Sequence, residues 1–151
     1  MSKPEAVIVD MDGTLADVSG IRHFVVPTAE RRFKDFDSFH SRSVDCPTNP
    51  QAVDIVRDAH AAGKVVIVVT ARRHMWRHHT AWFLAMHGIP SDVLIMRRND
   101  DHRSDVDVKR DILAQIRTRW TPVLAVDDNP LVCALWSSEG IPTIVIPGWE
   151  D

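Results

Sequence analysis

Four consecutive apolar residues, Ala6-Val7-Ile8-Val9, stop abruptly at Asp10-Met11-Asp12-Gly13-Thr14-Leu15. An unalternated run rich in β-branched residues reads as a strand covered on both faces, as in a parallel sheet. Gly13 and Thr14 read as a turn leaving its C-terminal end. In open α/β sheets ligands gather beyond those carboxyl ends, so Asp10 and Asp12 stand where chemistry is expected. Alternation along a strand sends both side chains to one side, within reach of a common group. Two carboxylates that close repel unless a cation or a shared proton relieves them. A hard divalent ion such as Mg²⁺ suits oxygen ligands.

The same pattern recurs down the chain. Lys64–Val69 is a second apolar strand, ending in Thr70-Ala71-Arg72-Arg73. A hydroxyl there can donate to a phosphate oxygen, and the Arg72 fork can hold two. Val93–Met96 is a third strand, Thr121–Val126 a fourth and Ile141–Ile146 a fifth. The fourth runs into Asp127-Asp128, a pair that is costly to bury without a cation. Helices are expected over Pro50–Ala62, capped by Thr48 or Asn49 and stopped by Gly63, and over Leu131–Glu139 with Trp136 inward. A further helix starts near Val106 with Asp105 as N-cap. Asp105 also stands four residues before Lys109, a spacing that can hold the ammonium in place. Alternating strands and helices imply an α/β, Rossmann-like three-layer fold, with a mainly parallel five-stranded sheet and helices on both faces.

Size and charge narrow the function. A chain of 151 residues, 44% hydrophobic and 26% charged, suits one domain with a proper core. The net charge of −3 gives no overall pull toward nucleic acid or membrane, so a polyanionic substrate must meet a local basic patch. Cys46 and Cys133 suggest no disulfide framework. No run approaches membrane-spanning length and Met1–Glu5 is no signal peptide, so a cytoplasmic location and no membrane partner are expected.

Two stretches stand outside the alternation. Residues 16–50 are polar and irregular, with Arg22, His23, Arg31, Arg32, Lys34 and Arg42 among four Phe and Pro27, Pro47 and Pro50. A segment of this length inside a compact domain suits a small lid over the strand ends. Residues 74–87 hold four histidines and three aromatics. Trp82, Phe83 and Met86 with Trp76 or His79 fit a helix packing its aromatics on the sheet. His74 and His78 are spaced to chelate, but with no suitable third ligand a half-exposed, His-rich helix is the expectation over zinc. That helix and Trp149 suit either a core or a homodimer interface.

Asp10-Met11-Asp12-Gly13-Thr14-Leu15 resembles the first motif of the haloacid dehalogenase (HAD) superfamily of phosphohydrolases. Thr70, Lys109 and the Asp127-Asp128 pair match the second, third and fourth motifs in order. The resemblance covers essentially residues 1–151 as a single domain, with 16–50 as a small cap insert. It implies that Asp10 is the nucleophile and Asp12 the general acid/base, its backbone carbonyl also binding Mg²⁺. Asp128 is then the direct metal ligand, and Asp127 lies behind it or binds through water. A narrower likeness joins Arg103-Ser104-Asp105-x-Asp107-x-Lys109, Arg72 and Val123–Asp128 to the 3′-phosphatase domain of phage-type polynucleotide kinase/phosphatase. It implies that Asp105 and Arg72 belong to the active site. No G-x-x-x-x-G-K-[ST] is present, so no kinase half is expected.

The expected activity is Mg²⁺-dependent phosphomonoester hydrolysis through an aspartyl-phosphate, acting on a 3′-phosphorylated DNA or RNA end. Arg97, Arg98 and Arg103, with the basic residues of 16–50, favour a polynucleotide through backbone contact. A 5′(3′)-mononucleotidase or other small-molecule phosphatase is the alternative. A catalytically silent binding module of the same fold is a third, weighed against by intact Asp10, Asp12, Thr70, Lys109 and Asp128.

Overall fold

A computed structural model describes residues 2–26 and 34–149. Five parallel strands form one sheet in the order β3-β2-β1-β4-β5, with β1 at Glu5–Val9, β2 at Val65–Arg73, β3 at Val93–Arg97, β4 at Thr121–Asp127 and β5 at Thr143–Val145. The Asp-bearing strands β1 and β4 are neighbours at the centre, which brings acids 117 residues apart in sequence to one edge.

Alternation along β1 builds two cores. Val7 and Val9 face one side, with Val53, Val56 and Ala59 of α2 (Pro50–Ala61) and Phe83 and Leu84 of α3 (Arg77–Met86). Ala6 and Ile8 face the other, with Val108, Ile112, Leu113 and Ile116 of α4 (Asp105–Arg117) and Leu135 and Trp136 of α5 (Pro130–Ser138). Fully burying one such aliphatic side chain contributes about 1.5–3 kcal/mol, so these two apolar layers hold the sheet between its helices. This is the expected three-layer α/β arrangement.

Asn49 caps α2, its side chain accepting from Gln51 N, with Pro50 opening the first turn. Helix α4 departs from expectation. Its N-cap is Ser104, whose Oγ accepts from Asp107 N at 3.2 Å, and Asp105 is already helical. Helix α3 also differs, burying Phe83 and Leu84 while Trp82 and Met86 are about half exposed. Its ten residues turn only one narrow stripe to the sheet, so aromatics spread around the helix cannot all be covered.

Residues 16–50 hold more structure than their sequence suggests. A 3-10 turn at Arg22–Phe24, helix α1 at Phe36–Arg42 and a 3-10 turn at Ser43–Asp45 follow one another. Asp35 caps α1 by accepting from Ser38 N, and Phe39 is buried beside β1 residues. Pro27, Arg31 and Arg32 lie outside the described residues. Among the described residues no helix is long and apolar enough to cross a membrane.

Candidate active site

The turn after β1 is built to hold a carboxylate close to β4. Thr14 N and Ala16 N donate to Met11 O, closing the loop. Gly13 has φ +78°, in the left-handed region open to glycine. A Cβ at that position would collide with the Asp128 carboxylate. Thr14 is fully buried, and its hydroxyl stands 3.3 Å from Asp10 Oδ2 and 3.2 Å from Asp128 Oδ1. The threonine of the motif thus bridges the two strand ends, a role the sequence reading missed although the residue lay within the motif.

Asp10, Asp127 and Asp128 are buried and bring carboxylate oxygens within 4.8 Å of one another. Lys109, also buried, reaches in from α4 and donates to Asp10 Oδ1 at 3.0 Å and Asp127 Oδ2 at 2.8 Å. Burial alone would lower the Lys109 ammonium, but Asp10 and Asp127 outweigh it and raise it. One ammonium cannot balance three carboxylates. Burial, then repulsion from Asp127, pushes Asp10 well above the usual carboxylate range; burial likewise raises Asp128. A compact, oxygen-only cluster with excess negative charge fits a hard divalent cation such as Mg²⁺.

Asp127 and Asp128 differ in what occupies them. Asp127 accepts from Lys109 on one oxygen and from Asn129 N at 3.0 Å on the other. Asp128 meets the Thr14 hydroxyl and faces the cavity. Asp128 is therefore the freer donor of the pair.

Asp12 turns away from the trio toward Arg72. The guanidinium donates from Nε to Asp12 Oδ2 at 2.8 Å and from Nη2 to Asp12 Oδ1. Burial works against ionisation of Asp12, yet the Arg72 charge prevails and holds its carboxyl below the ordinary value. The sequence reading set Arg72 on phosphate oxygens. In the structure its fork closes on Asp12, beside a register irregularity between Thr70 and Arg73 in the β2–β3 pairing. Thr70 is buried, and its hydroxyl oxygen accepts from Arg72 N at 3.1 Å, leaving its own proton available.

Asp105 does not pair with Lys109. The buried Lys109 side chain faces the sheet, whereas Asp105 is half exposed and accepts from Arg97 Nη2 at 2.7 Å. Arg97 is buried and donates also to Ala71 O, Asp101 O and Arg103 O, pinning the loop before α4. Arg98 pairs with Asp100, and Arg103 with Asp101 and Asp111. Each of these three arginines thus has acceptors of its own beside it, Arg98 and Arg103 in exposed ion pairs and Arg97 in buried contacts. His74 and His78 form no candidate metal group among the described residues, His74 lying in a 3-10 turn before α3.

A cavity of about 470 Å³ opens over Asp12 and Asp128. Asp105, Arg72, His40, Phe36, Trp76 and Trp149 line it, together with Arg22, Lys34 and Arg73. Among the described residues these last three form no ion pair with a carboxylate. Arg22 lies over the Trp149 ring and Lys34 over Phe36. His40 and Phe36 carried no sequence signal, because the insert has no period that would reveal which side chains meet; Trp76 and Trp149 stood out only as aromatics for a core or an interface.

A central parallel sheet with acids and Lys109 converging at its carboxyl edge defines a HAD-type phosphatase. The chain belongs to the family of the polynucleotide kinase PNKP phosphatase domain, whose family model matches residues 4–147. It is 28% identical over 143 residues to a provisionally named bifunctional polynucleotide kinase/RNA ligase of Autographa californica nuclear polyhedrosis virus, covering 93% of this chain and 19% of that protein. A chain in the structure of the Pnkp1/Rnl/Hen1 complex superposes with a TM-score of 0.81 at 27% identity, covering 95% of this chain and 45% of the other. The class C acid phosphatase from Bacillus anthracis with tungstate bound shares the fold at a TM-score of 0.71 and 17% identity, covering 97% of this chain and 68% of the other. The chain thus spans about a fifth of the viral relative and under half of the complex subunit.

Proposed function

We propose that this domain removes the terminal 3′-phosphate from a polynucleotide end, with Asp10 as nucleophile and Asp12 as general acid/base. The observation that carries the chemistry is the division of labour between the two aspartates. Asp10 is fixed by Lys109 among the buried acids, while Asp12 is held apart by Arg72 at the cavity wall.

Asp10 attacks phosphorus in line, forming an aspartyl-phosphate as the bond to the leaving oxygen breaks. Asp12, ionised beside Arg72 in the free protein, takes up a proton as the negative phosphate binds next to it and gives that proton to the leaving oxygen; it then takes one from the water that cleaves the acyl phosphate. Lys109 offsets negative charge on Asp10 and on the phosphoryl oxygens, and the Thr70 hydroxyl can donate to one of them. Asp10 and Asp128 would hold Mg²⁺ with the Asp12 carbonyl, Asp127 standing behind; the ion would add charge neutralisation at the phosphoryl group.

The polynucleotide assignment draws on the cavity wall. Aromatic faces interleaved with Arg22, Lys34 and Arg73 suit a base stacked beside a backbone phosphate. The insert 16–50 supplies Arg22, Lys34 and Phe36, so it acts as the small cap of a single domain. The Pnkp1/Rnl/Hen1 RNA repair complex, which contains a similar chain, favours the same reading. The cavity would also admit a mononucleotide. Phosphate release from a 3′-phosphorylated oligonucleotide, a 3′-mononucleotide and a 5′-mononucleotide, each with and without Mg²⁺, tests the proposal. The oligonucleotide should have the highest kcat/KM; preference for either mononucleotide would overturn the assignment.

A further inference from the structure

Arg72 is anchored by two side chains, of which only Asp12 belongs to a motif. Its Nη1 donates to Thr80 Oγ1 at 3.0 Å. Thr80 is fully buried in the first turn of α3, and its own hydroxyl proton goes to Trp76 O at 3.0 Å. A helical threonine bonding back to the carbonyl four residues earlier is ordinary in itself. A hydroxyl has one proton and two lone pairs, so giving the proton to Trp76 O leaves a lone pair for Arg72.

We propose that Thr80 is a positioning residue for phosphoryl transfer: it fixes the plane of the Arg72 guanidinium so that the fork presents Asp12 to the leaving oxygen. The inference rests on the reading of Asp12 as the acid. Contacts at Nε and Nη2 alone leave the guanidinium and the Asp12 carboxylate free to move together as a pair. The third contact, from Nη1 to a hydroxyl fixed in α3, ties that pair to the helix. A misplacement of about 1 Å at a reacting group can cost a hundredfold in rate, so the anchor has catalytic consequences without touching substrate.

The test compares leaving groups. An alkoxide leaving from a 3′-phosphorylated oligonucleotide needs the Asp12 proton, whereas p-nitrophenyl phosphate releases a stable anion without one. Thr80→Val should lower kcat and kcat/KM on the oligonucleotide roughly tenfold or more, with KM little changed, and alter kcat/KM on p-nitrophenyl phosphate by no more than about twofold. Thr80→Ser should recover most of the loss. In an Arg72→Lys background Thr80→Val should add nothing. Thr80→Ala gives the same reading if the valine variant fails to fold by circular dichroism. Equal losses on both substrates, wild-type turnover by the valine variant, or no recovery with serine would overturn the inference. If the wild type ignores the oligonucleotide but cleaves a 3′-mononucleotide, the polynucleotide reading fails. The Thr80 comparison is then made with the mononucleotide as the alkoxide substrate.

Discussion

The ammonium of Lys109 and the carboxylate of Asp10 meet at 3.0 Å across 99 residues of sequence, with Asp127 held by the same nitrogen at 2.8 Å. One cation from α4 thereby joins the ends of β1 and β4. Removing it would leave three buried acids uncompensated. Lys109→Met is expected to lower kcat by about a hundredfold or more. It should also destabilise the metal-free protein by about 3 kcal/mol, the usual cost of orphaning a buried ion pair. Denaturant melts and steady-state rates check both, and added Mg²⁺ should recover stability without activity.

The residual negative charge makes divalent-ion binding pH-dependent. Burial holds Asp10 and Asp128 above the ordinary carboxylate range, so in the absence of a cation the fold favours their protonated forms. Their contribution to stability is therefore full below the unfolded value and is lost as pH rises through the raised folded values. Mg²⁺ binds the ionised forms, so its affinity should fall as pH is lowered. At a hundred times its dissociation constant it should add about 2.7 kcal/mol of stability, and EDTA should remove this reversibly. Calorimetric titration at several pH values checks the trend; affinity that rises toward acid pH would contradict it.

Gly13 is constrained twice, by a left-handed backbone and by the Asp128 carboxylate where a Cβ would stand. Gly13→Ala should therefore cost more than about 1 kcal/mol, beyond the backbone strain alone, because Asp128 must also move. Activity should fall further than stability, since the displaced group is a proposed metal ligand. Parallel thermal melts and kcat measurements separate the two effects.

How much of this could be read from residues follows from the range of the signals. Apolar runs ending at Asp10, Thr70 and Asp127 announced parallel strands and the edge their ends share, because unalternated runs suit strands covered on both faces; the order of the strands in the sheet left no such mark. Side-chain partners were less legible. Asp105 and Lys109 have helical pair spacing, yet Lys109 turns into the core and Asp105 answers to Arg97. The Arg72 fork could not be assigned to Asp12 from spacing, because the two residues stand 60 apart in sequence on neighbouring strand ends. His40 and Thr80 carry no motif, and their positions come only from how α1 and α3 pack beside the sheet.

Backbone recognition should leave a salt signature. Lys34 lies over the Phe36 ring at the cavity wall and forms no ion pair with a carboxylate among the described residues. Lys34→Glu should reduce kcat/KM on a 3′-phosphorylated oligonucleotide while sparing p-nitrophenyl phosphate. The slope of log(kcat/KM) against log[salt] should become shallower by about 0.7, the value for one contact with a single strand. An unchanged slope would remove Lys34 from the substrate path.

His40 should make the fold acid-sensitive in a narrow window. It is buried on α1 between Phe36, Phe39 and Trp76, and its Nδ1 has no hydrogen-bond partner among the described residues. Burial, aided by Arg72, His79 and Arg73 against the opposing pull of Asp12, lowers its pKa from 6.5 to about 4. The folded state therefore keeps the ring neutral where the unfolded chain already binds a proton. Its contribution is complete above pH 6.5, shrinks as pH falls toward 4, and changes no further below that. At roughly 1.4 kcal/mol per unit, the loss across the window is about 3 kcal/mol. His40→Phe keeps an aromatic ring and removes the titration, and no hydrogen bond at Nδ1 is lost among the described residues. Urea midpoints of wild type and variant should therefore converge or cross as pH is lowered from 7 to 4, with the variant gaining relative stability. Parallel curves over that range would mean that the histidine titrates normally and that the pocket around it is wetter than the packing of the three aromatic rings implies.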